Sequence, residues 1–277
     1  MKKRLISSFV GIAILILILY FHKTYILNAA ISLVSGLAAF EILSASKLIK
    51  TLKLSVPSIV FAMAIPLMEI SKLNIYINLL CFLYIVFLFI LNITDSINIS
   101  LAHIGITFFT IITTSFSLSC IVKIRNNFGE ISIYLIAFAL ICAWCCDIGA
   151  FTVGKLFGKH KLAPKVSPNK TVEGSIGGIL FVLIASLGGA VLFDKVLSSN
   201  MSEVYAVYFF PLIVSSIIAA IIGMIGDLSF SMIKRYYNIK DFGKIMPGHG
   251  GVLDRFDSVI FVIPFIYLIN SIIPIIK

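Results

Sequence analysis

The sequence predicts an all-α polytopic integral membrane protein with about nine transmembrane helices and a cytoplasmic N-terminus. Of its 277 residues, 60% are hydrophobic and only 12% are charged, whereas an ordinary soluble domain has roughly 25% charged residues. Many apolar runs reach about 17 to 25 residues, the length that a helix needs to cross a hydrocarbon core about 30 Å thick. A transmembrane barrel would need alternating segments of about ten residues, which the sequence does not show.

Each of nine apolar runs is predicted to form one spanning helix. The runs cover approximately residues 5–21, 25–46, 54–71, 73–92, 99–122, 131–153, 174–193, 204–226 and 258–276. The boundary between the third and fourth runs is weak, because almost nothing separates them. The first run follows a basic start, as a signal peptide does, but it is longer than the usual hydrophobic region of about 7–15 residues. A retained first helix is therefore favoured.

The distribution of basic residues predicts the orientation. With nine spans and a cytoplasmic N-terminus, 16 of the 22 lysines and arginines fall on the cytoplasmic side, in agreement with the positive-inside rule. The net charge of +10 therefore reflects membrane orientation, and we expect no nucleic-acid partner. The five cysteines lie in or next to apolar segments, without the spacing of a disulfide framework or a zinc site.

The charged residues divide the chain into two parts. Residues 1–130 are predicted to form the N-terminal transmembrane helices, whose few carboxylates are isolated and lie mostly near span ends. We interpret these carboxylates as boundary or helix-packing residues, with a cavity-lining role for Glu41 as the alternative. Residues 131–277 contain two polar segments, 147–174 and 227–257, which hold six of the twelve carboxylates. Both segments fall on the cytoplasmic side, so they can meet.

The second polar segment begins with a carboxylate at the end of an apolar run. An ionised Asp227 at this position is costly unless it is paired or bound to a metal. If the helix continues to Arg235, then Asp227, Ser231 and Lys234 share one helix face. The alternative is an Asp–Lys contact within the helix end, which contributes little when exposed.

The same segment ends in a glycine pair followed by two carboxylates. Gly250 and Gly251 would let the backbone approach a phosphate and turn its N–H groups toward it. Asp254 and Asp257 can face the same way if the last helix has begun, and a helix N-cap is the alternative. Carboxylates beside many lysines and arginines are typical of sites for Mg²⁺ and polyphosphate. For His249, metal binding, proton transfer and a turn-stabilising hydrogen bond all remain open.

The first polar segment leads from a basic loop into a glycine-rich helix. Lys170 is expected at the N-terminus of that helix, where unpaired N–H groups favour anions, and Thr171 and Glu173 suit its first turn. Upstream, small residues four apart predict a face for close helix packing. They are Ala150, Gly154 and Gly158. Asp147 precedes this face and is expected to need a partner.

These residues closely resemble the signature of the phosphatidate cytidylyltransferase (CDP-diacylglycerol synthase) family. The matching positions are Ser231, Lys234-Arg235, Lys240-Asp241, His249-Gly250-Gly251 and Asp254-Arg255-Phe256-Asp257. The family's upstream block is similar to Asp147, Ala150, Gly158-Lys159-His160, Ser167-Pro168, Lys170-Thr171 and Glu173-Gly174. The resemblance covers roughly residues 140–260.

The resemblance implies a reaction in which CTP and phosphatidic acid give CDP-diacylglycerol and pyrophosphate for phospholipid synthesis. It also implies a requirement for Mg²⁺, with K⁺ beside it in some members, and a homodimer. We expect a bacterial inner membrane and an active site that faces the cytoplasm. The alternatives are a CTP-dependent lipid kinase, which transfers the γ-phosphoryl group, and a secondary transporter with buried carboxylates near broken helices. A purely structural membrane scaffold is the weakest alternative, because it has no use for so many charged residues in two facing segments.

On this hypothesis, residues 131–277 form the catalytic transmembrane domain. Asp227 and Asp254 are assigned to the metal, with Asp257 and Asp147 either as supporting ligands or as residues that orient the ligands. The residues assigned to CTP or to the lipid phosphate are Lys170, Ser231, Lys234, Arg235, His249, Gly250, Gly251 and Arg255. Catalysis would then depend on positioning and on neutralisation of charge, as in phosphoryl transfer generally.

Overall fold

The computed structural model describes residues 2–70, 73–95, 99–197, 205–246, 248 and 250–276. Within these ranges, nine helices of 14 to 28 residues follow the nine predicted runs, so the all-α prediction is confirmed. They are α1 (Lys2–Tyr20), α2 (Tyr25–Ala45), α3 (Leu52–Met68), α4 (Ile77–Thr94), α5 (Leu101–Phe128), α6 (Ser132–Phe157), α7 (Val172–Leu192), α8 (Phe209–Tyr236) and α10 (Val259–Ile272). The short helix α9 (Leu253–Phe256) precedes the last of them.

Several helices have the length and composition of membrane spans. In the described ranges, five segments are long and apolar enough to cross a membrane, namely Tyr25–Ala45, Asn74–Thr94, Leu101–Phe157, Val172–Lys195 and Phe209–Tyr236. Three shorter apolar helices are Phe9–Tyr20, Leu52–Met68 and Val259–Ile272. These helices confirm the prediction of a polytopic membrane protein. The number of nine spans and the side of the N-terminus stay predictions.

The chain forms two compact units, which we call the N-terminal unit and the C-terminal unit. The N-terminal unit contains Met1–Asn126 and also Tyr237–Arg255, and the C-terminal unit contains Asn127–Tyr236 and Phe256–Lys277. The glycine segment of the predicted site therefore belongs to the N-terminal unit, although it follows α8 in sequence. The predicted functional division at residue 130 stays a prediction.

In the N-terminal unit, α2 and α3 pack with their backbones close together. Asn28 Nδ2 donates to the carbonyl of Pro66 at 2.9 Å, and Ser32 Oγ donates to the carbonyl of Met63 at 2.8 Å. A Cβ atom on Gly36 would lie 2.6 Å from Met63 Cγ, so a larger residue at this position would require the Met63 side chain to move. Polar contacts and a small residue hold membrane helices together in this way because apolar side chains gain little from leaving lipid.

An apolar cluster completes the N-terminal unit. The rings of Phe61 on α3 and Tyr84 on α4 stack with their centroids 4.0 Å apart. The Tyr84 hydroxyl donates to Ser58 Oγ at 2.7 Å, which satisfies a buried polar group. Fully buried aliphatic side chains, including Leu54, Ile65 and Leu88, surround this pair. The cluster joins α3 to α4 and gives the unit a core of its own.

In the C-terminal unit, α6 and α7 pack along the small-residue face that the sequence predicted. A Cβ atom on Gly154 would lie 2.9 Å from Thr171 Oγ1, and one on Gly174 would lie 2.6 Å from the Ala150 carbonyl oxygen. A Cβ atom on Gly158 would lie 2.7 Å from Thr171 Cγ2. The prediction of close helix packing is therefore confirmed. Helices α8 and α10 complete this unit, since both pack against α6 and against each other.

A small hairpin connects α6 to α7, and the sequence did not predict it. Strands β1 (Lys161–Ala163) and β2 (Ser167–Thr171) pair antiparallel, with Lys161 opposite Thr171 and Ala163 opposite Ser167. Strand β2 runs directly into α7, whose first residue is Val172. The hairpin therefore delivers Lys170 to the start of α7.

Candidate active site

Lys170 lies at the centre of the charged residues of the C-terminal unit. It directly precedes Thr171, whose Oγ1 caps α7 by accepting the Gly174 N–H at 3.1 Å, so the predicted place at a helix N-terminus is confirmed. The Lys170 ammonium forms an ion pair with Asp227 on α8. Burial lowers the pKa of Lys170 below its ordinary value, while the negative charges of Asp147 and Asp257 act in the opposite direction. Three carboxylates therefore share the field of one half-buried ammonium group.

Helix α8 carries the predicted polar face. It continues to Tyr236, so Asp227, Ser231 and Lys234 share one side of it, as the sequence predicted. Lys234 Nζ lies 3.7 Å from Asp257 Oδ2, and the two side chains are 11% and 8% exposed. Because Asp227 is paired with Lys170, these two ion pairs join different elements. The alternative of a contact only within the helix end is therefore wrong.

Asp257 and Asp147 meet at the start of α10. The N–H of Ser258 donates to Asp257 Oδ1 at 2.9 Å, and Ser258 Oγ lies 3.5 Å from Asp147 Oδ2. The N-cap of α10 is Ser258, so the alternative in which an aspartate caps the last long helix is wrong. Asp257 and Asp147 instead lie beside the two lysines, in the group that the sequence proposed for the metal.

Arg235 has a different environment from Lys234. Its side chain is exposed, and Nε donates to the Val166 carbonyl in the hairpin at 3.3 Å. This bond ties the end of α8 to the hairpin that carries Lys170. A guanidinium is a group that binds phosphate well, because its N–H donors form a planar fork that matches two phosphate oxygens.

In the N-terminal unit, the glycine segment is organised by carboxylates. Asp254 Oδ2 accepts the N–H of Gly251 and the N–H of Phe242, both at 2.9 Å. A Cβ atom on Gly250 would lie 3.0 Å from the same oxygen, and its φ of 87° is one that glycine adopts easily. The sequence assigned these glycines to phosphate binding. In the structure, the residues around them are protein carboxylates.

The segment contains further residues of the sequence resemblance. Arg255, Lys240 and Asp241 are exposed, and the Arg255 N–H donates to the Val252 carbonyl at 3.0 Å. His249 lies outside the described residues. The assignments of Arg255 and His249 to substrate therefore stay predictions.

Sequence reasoning missed two contacts near the predicted site. Glu41 of α2, interpreted as a packing or cavity residue, accepts the N–H groups of Val252 and Leu253. His160, to which no partner was assigned, has its Nδ1 2.6 Å from Glu173 Oε1. The His160 contact could have been predicted from the sequence. Glu173 lies in the first turn of α7, and a carboxylate there is close to the connection that precedes the helix.

The donor chemistry of the C-terminal unit suits a hard cation. Carboxylate oxygens are the ligands that Mg²⁺ prefers, but Mg²⁺ keeps several waters and usually takes one or two carboxylates together with substrate phosphates. Among the residues that the structure describes, no group of three or more His, Cys, Asp or Glu side chains converges to hold a metal ion. The residues therefore fit a Mg²⁺ ion that arrives with a phosphate, and they do not form a cage made of protein alone.

The apolar helices define an integral membrane protein. Its two groups of charged residues, one around Lys170 and one around Asp254, suit phosphate chemistry. The model of the cytidylyltransferase family matches residues 2–273 of the chain. The chain therefore belongs to the cytidylyltransferase family. This membership gives no support to the lipid kinase and transporter alternatives.

Several bacterial proteins are similar to part of the chain. The phosphatidate cytidylyltransferase of Bacillus subtilis (strain 168) is 42% identical over 148 residues, which are 53% of this chain and 51% of that protein. The phosphatidate cytidylyltransferases of Staphylococcus saprophyticus and Staphylococcus aureus (strain COL) are each 42% identical over 137 residues, 50% of this chain and 49% of those proteins. The chain spans about half the length of the curated relatives it matches.

Proposed function

We propose that the protein transfers CMP from CTP to phosphatidic acid, giving CDP-diacylglycerol and pyrophosphate. The observation that carries this proposal is the cluster in which Lys170 and Lys234 face Asp227 and Asp257. Family membership and the names of the bacterial relatives support the nucleotide and the lipid. The predicted orientation would place the reaction at the cytoplasmic face of a bacterial inner membrane, where CTP is available.

The reaction requires one substitution at phosphorus. An oxygen of the phosphatidic acid phosphate attacks the α-phosphorus of CTP, a new P–O bond forms, and the bond to the pyrophosphate oxygen breaks. A phosphomonoester with a second pKa of about 6 is already largely a dianion at pH 7. A strong general base is therefore unnecessary, and the protein must mainly align the reactants and neutralise their charge.

The lysines of the cluster suit this neutralisation. Lys170 and Lys234 are partly buried, so their charges act on a bound phosphate with less screening than at an open surface. When the triphosphate or lipid phosphate binds, Lys170, Lys234 and Arg235 donate to its oxygens, and Ser231 donates to an adjacent oxygen. Lys170 then turns from Asp227 toward phosphate, which leaves the carboxylate available for a cation.

Mg²⁺ is proposed as the cofactor of this reaction. Asp227 and Asp254 would hold it, with Asp257 and Asp147 in support, and it would neutralise phosphate charge as the pyrophosphate leaves. K⁺ beside Mg²⁺ and a homodimeric assembly are proposals that come from the family resemblance alone.

The proposal can be tested with the purified protein in detergent or lipid nanodiscs. CTP, phosphatidic acid and Mg²⁺ together should release pyrophosphate, and omission of the lipid should remove the signal. CTP labelled at the α-phosphorus should transfer its label to the lipid. Label that reaches the lipid from the γ-phosphorus, with CDP as the other product, would instead indicate a lipid kinase. If the protein is shown to be folded and the assay mixture still consumes no CTP, the proposal is contradicted.

A further inference from the structure

Glu41 is a buried carboxylate in the N-terminal unit that the reaction described above does not use. It lies one turn before the end of α2 and is only 1% exposed. Its Oε1 accepts the N–H of Val252 at 2.9 Å, and its Oε2 accepts the N–H of Leu253 at 2.8 Å. Both oxygens are therefore bound by consecutive backbone amides of the segment that follows the glycine pair.

The backbone of that segment also encloses the Glu41 side chain. A Cβ atom on Gly251 would lie 2.5 Å from each carboxylate oxygen, and a Cβ atom on Gly243 would lie 2.8 Å from Cδ. Side chains larger than hydrogen at these two positions would push the carboxylate away. The absence of a side chain at Gly243 and Gly251 therefore leaves the space that the Glu41 carboxylate occupies.

The same backbone carries Asp254. The Gly251 N–H donates to Asp254 Oδ2, while the Cα of Gly251 faces Glu41. The carbonyl of Gly250 accepts the Met246 N–H at 2.9 Å and closes the loop. A displacement of Glu41 would therefore move the peptide units on which the orientation of the Asp254 carboxylate depends.

A packing role alone does not explain a carboxylate at position 41. An ionisable group inside an apolar helix is costly and is kept only where its partners compensate. A carboxylate offers two acceptor oxygens in one plane, and here each of them accepts one of the two adjacent N–H groups. The amide of glutamine provides one acceptor and would turn an N–H₂ group toward a backbone N–H.

We propose that Glu41 is a positioning residue for the reaction, because it fixes residues 250–254 and through them Asp254. This inference rests on the proposed function for its catalytic consequence, since Asp254 is one of the two carboxylates assigned to Mg²⁺. Its structural part is that Glu41 holds the glycine segment in place through the N–H groups of Val252 and Leu253. This part does not depend on which substrate the protein uses. The residue lies in the half of the chain that carries no other proposed site residue.

The experiment compares Glu41→Gln with Glu41→Asp and with a matched control. Glu69→Gln makes the same change at another buried carboxylate of the N-terminal unit, which is 4% exposed and pairs with Lys123 at 3.3 Å. All variants are purified as full chains. The measurements are kcat, the Mg²⁺ concentration for half-maximal activity, and hydrogen exchange of peptides that cover residues 250–255.

We expect Glu41→Gln to reduce activity by about 10- to 100-fold, the usual effect of losing a group that orients a metal ligand. The half-activating Mg²⁺ concentration should rise, and the peptides over 250–255 should exchange faster. Glu41→Asp keeps both acceptor oxygens and should retain more activity than Glu41→Gln. Glu69→Gln should leave the Mg²⁺ dependence and this exchange unchanged, because a mere loss of folded protein lowers the rate without moving a half-activating concentration.

Normal exchange and normal Mg²⁺ dependence in Glu41→Gln would overturn the proposal. A drop in kcat alone, with both other values unchanged, would also overturn it, because that pattern indicates a structural role only. If Glu41→Gln does not fold, Gly243→Ala replaces it, since the added Cβ presses on Glu41 from the other side and should raise the same two quantities. If the wild-type protein makes no CDP-lipid, the proposed function fails, while hydrogen exchange still decides whether Glu41 clamps the segment.

Discussion

Asp227 and Asp257 of the C-terminal unit face lysine ammonium groups, whereas Glu41 and Asp254 of the N-terminal unit face backbone amides. Asp227 and Asp257 pair with Lys170 and Lys234. Glu41 and Asp254 together accept four backbone N–H groups. The negative charge of a carboxylate is thus balanced by ammonium groups in one unit and by backbone N–H groups in the other.

This difference separates carboxylates that can change their binding partner from carboxylates that hold the backbone of a loop in one conformation. A lysine side chain carries its ammonium group on a flexible four-carbon chain and can move from a carboxylate to a phosphate. A backbone amide cannot leave its carboxylate without movement of the loop itself. The C-terminal unit is therefore suited to substrate and cation exchange, and the N-terminal unit is suited to holding a ligand such as Asp254 in a fixed orientation.

The largest expected effect comes from removal of the charge on either proposed metal ligand. Asp227→Asn and Asp254→Asn should each reduce CTP turnover by at least about 100-fold, because loss of a group that merely orients such a ligand already costs about 10- to 100-fold. Only Asp254→Asn should also speed hydrogen exchange at Phe242 and Gly251, since only that carboxylate holds their amides. Pyrophosphate release and exchange mass spectrometry measure the two effects.

Each variant has an outcome that contradicts this prediction. Near-normal turnover of Asp227→Asn at limiting Mg²⁺ would remove Asp227 from the metal site. Equal exchange in both variants would mean that the two kinds of carboxylate do not differ as described. Asp241→Asn, at an exposed position of the same segment, serves as the control for a general change of charge.

An intermediate effect is expected from Lys170→Met. Loss of the ammonium leaves Asp227 without its partner and should lower the free energy of unfolding by about 1–3 kcal/mol, the usual cost of a polar group left unsatisfied. Mg²⁺ should then raise the melting temperature of this variant more than that of the wild type, because the cation no longer competes with an ammonium group. Thermal unfolding in detergent with and without Mg²⁺ measures both quantities.

Lys159→Met changes an exposed lysine of the same connection and should leave stability and its Mg²⁺ response unchanged. The same Mg²⁺ shift in wild type and Lys170→Met would show that the ammonium and the metal do not share these carboxylates. Such a result would weaken the idea of exchangeable charges in the C-terminal unit.

The smallest effect is expected from His160→Gln. Glu173 keeps the backbone N–H groups of Lys159 and His160, at 3.1 and 3.2 Å, when the imidazole is lost. Because His160 is exposed, the free energy of unfolding should change little, as for exposed ion pairs generally, and activity should be preserved. A large loss of activity in the pyrophosphate assay would show that His160 has a role of its own.

The helices could be predicted because bilayer thickness fixes the length of their apolar runs. The face of α8 with Asp227, Ser231 and Lys234 followed from helical periodicity, and Lys170 followed from the pattern at the start of α7. The hairpin of residues 161–171 was missed, because its lysines and prolines resemble those of an irregular loop.

The partner groups of Glu41 could not be predicted for a different reason. They are backbone amides more than 200 positions away in the sequence, at Val252 and Leu253. Backbone N–H groups are the same at every residue except proline, so no side-chain pattern marks the ones that a distant carboxylate will bind. Contacts between side chains and remote backbone are therefore the part of this site that needed a structure.

The length of α8 has a consequence for the proposed lipid substrate. Its 28 residues make a helix about 42 Å long, whereas the hydrocarbon core of a bilayer is about 30 Å thick. If its apolar start lies at one edge of the hydrocarbon, its last two turns, with Ser231, Lys234 and Arg235, reach the depth of the headgroups at the other edge. A diacyl substrate would then present its phosphate to these residues while both acyl chains stay in the bilayer.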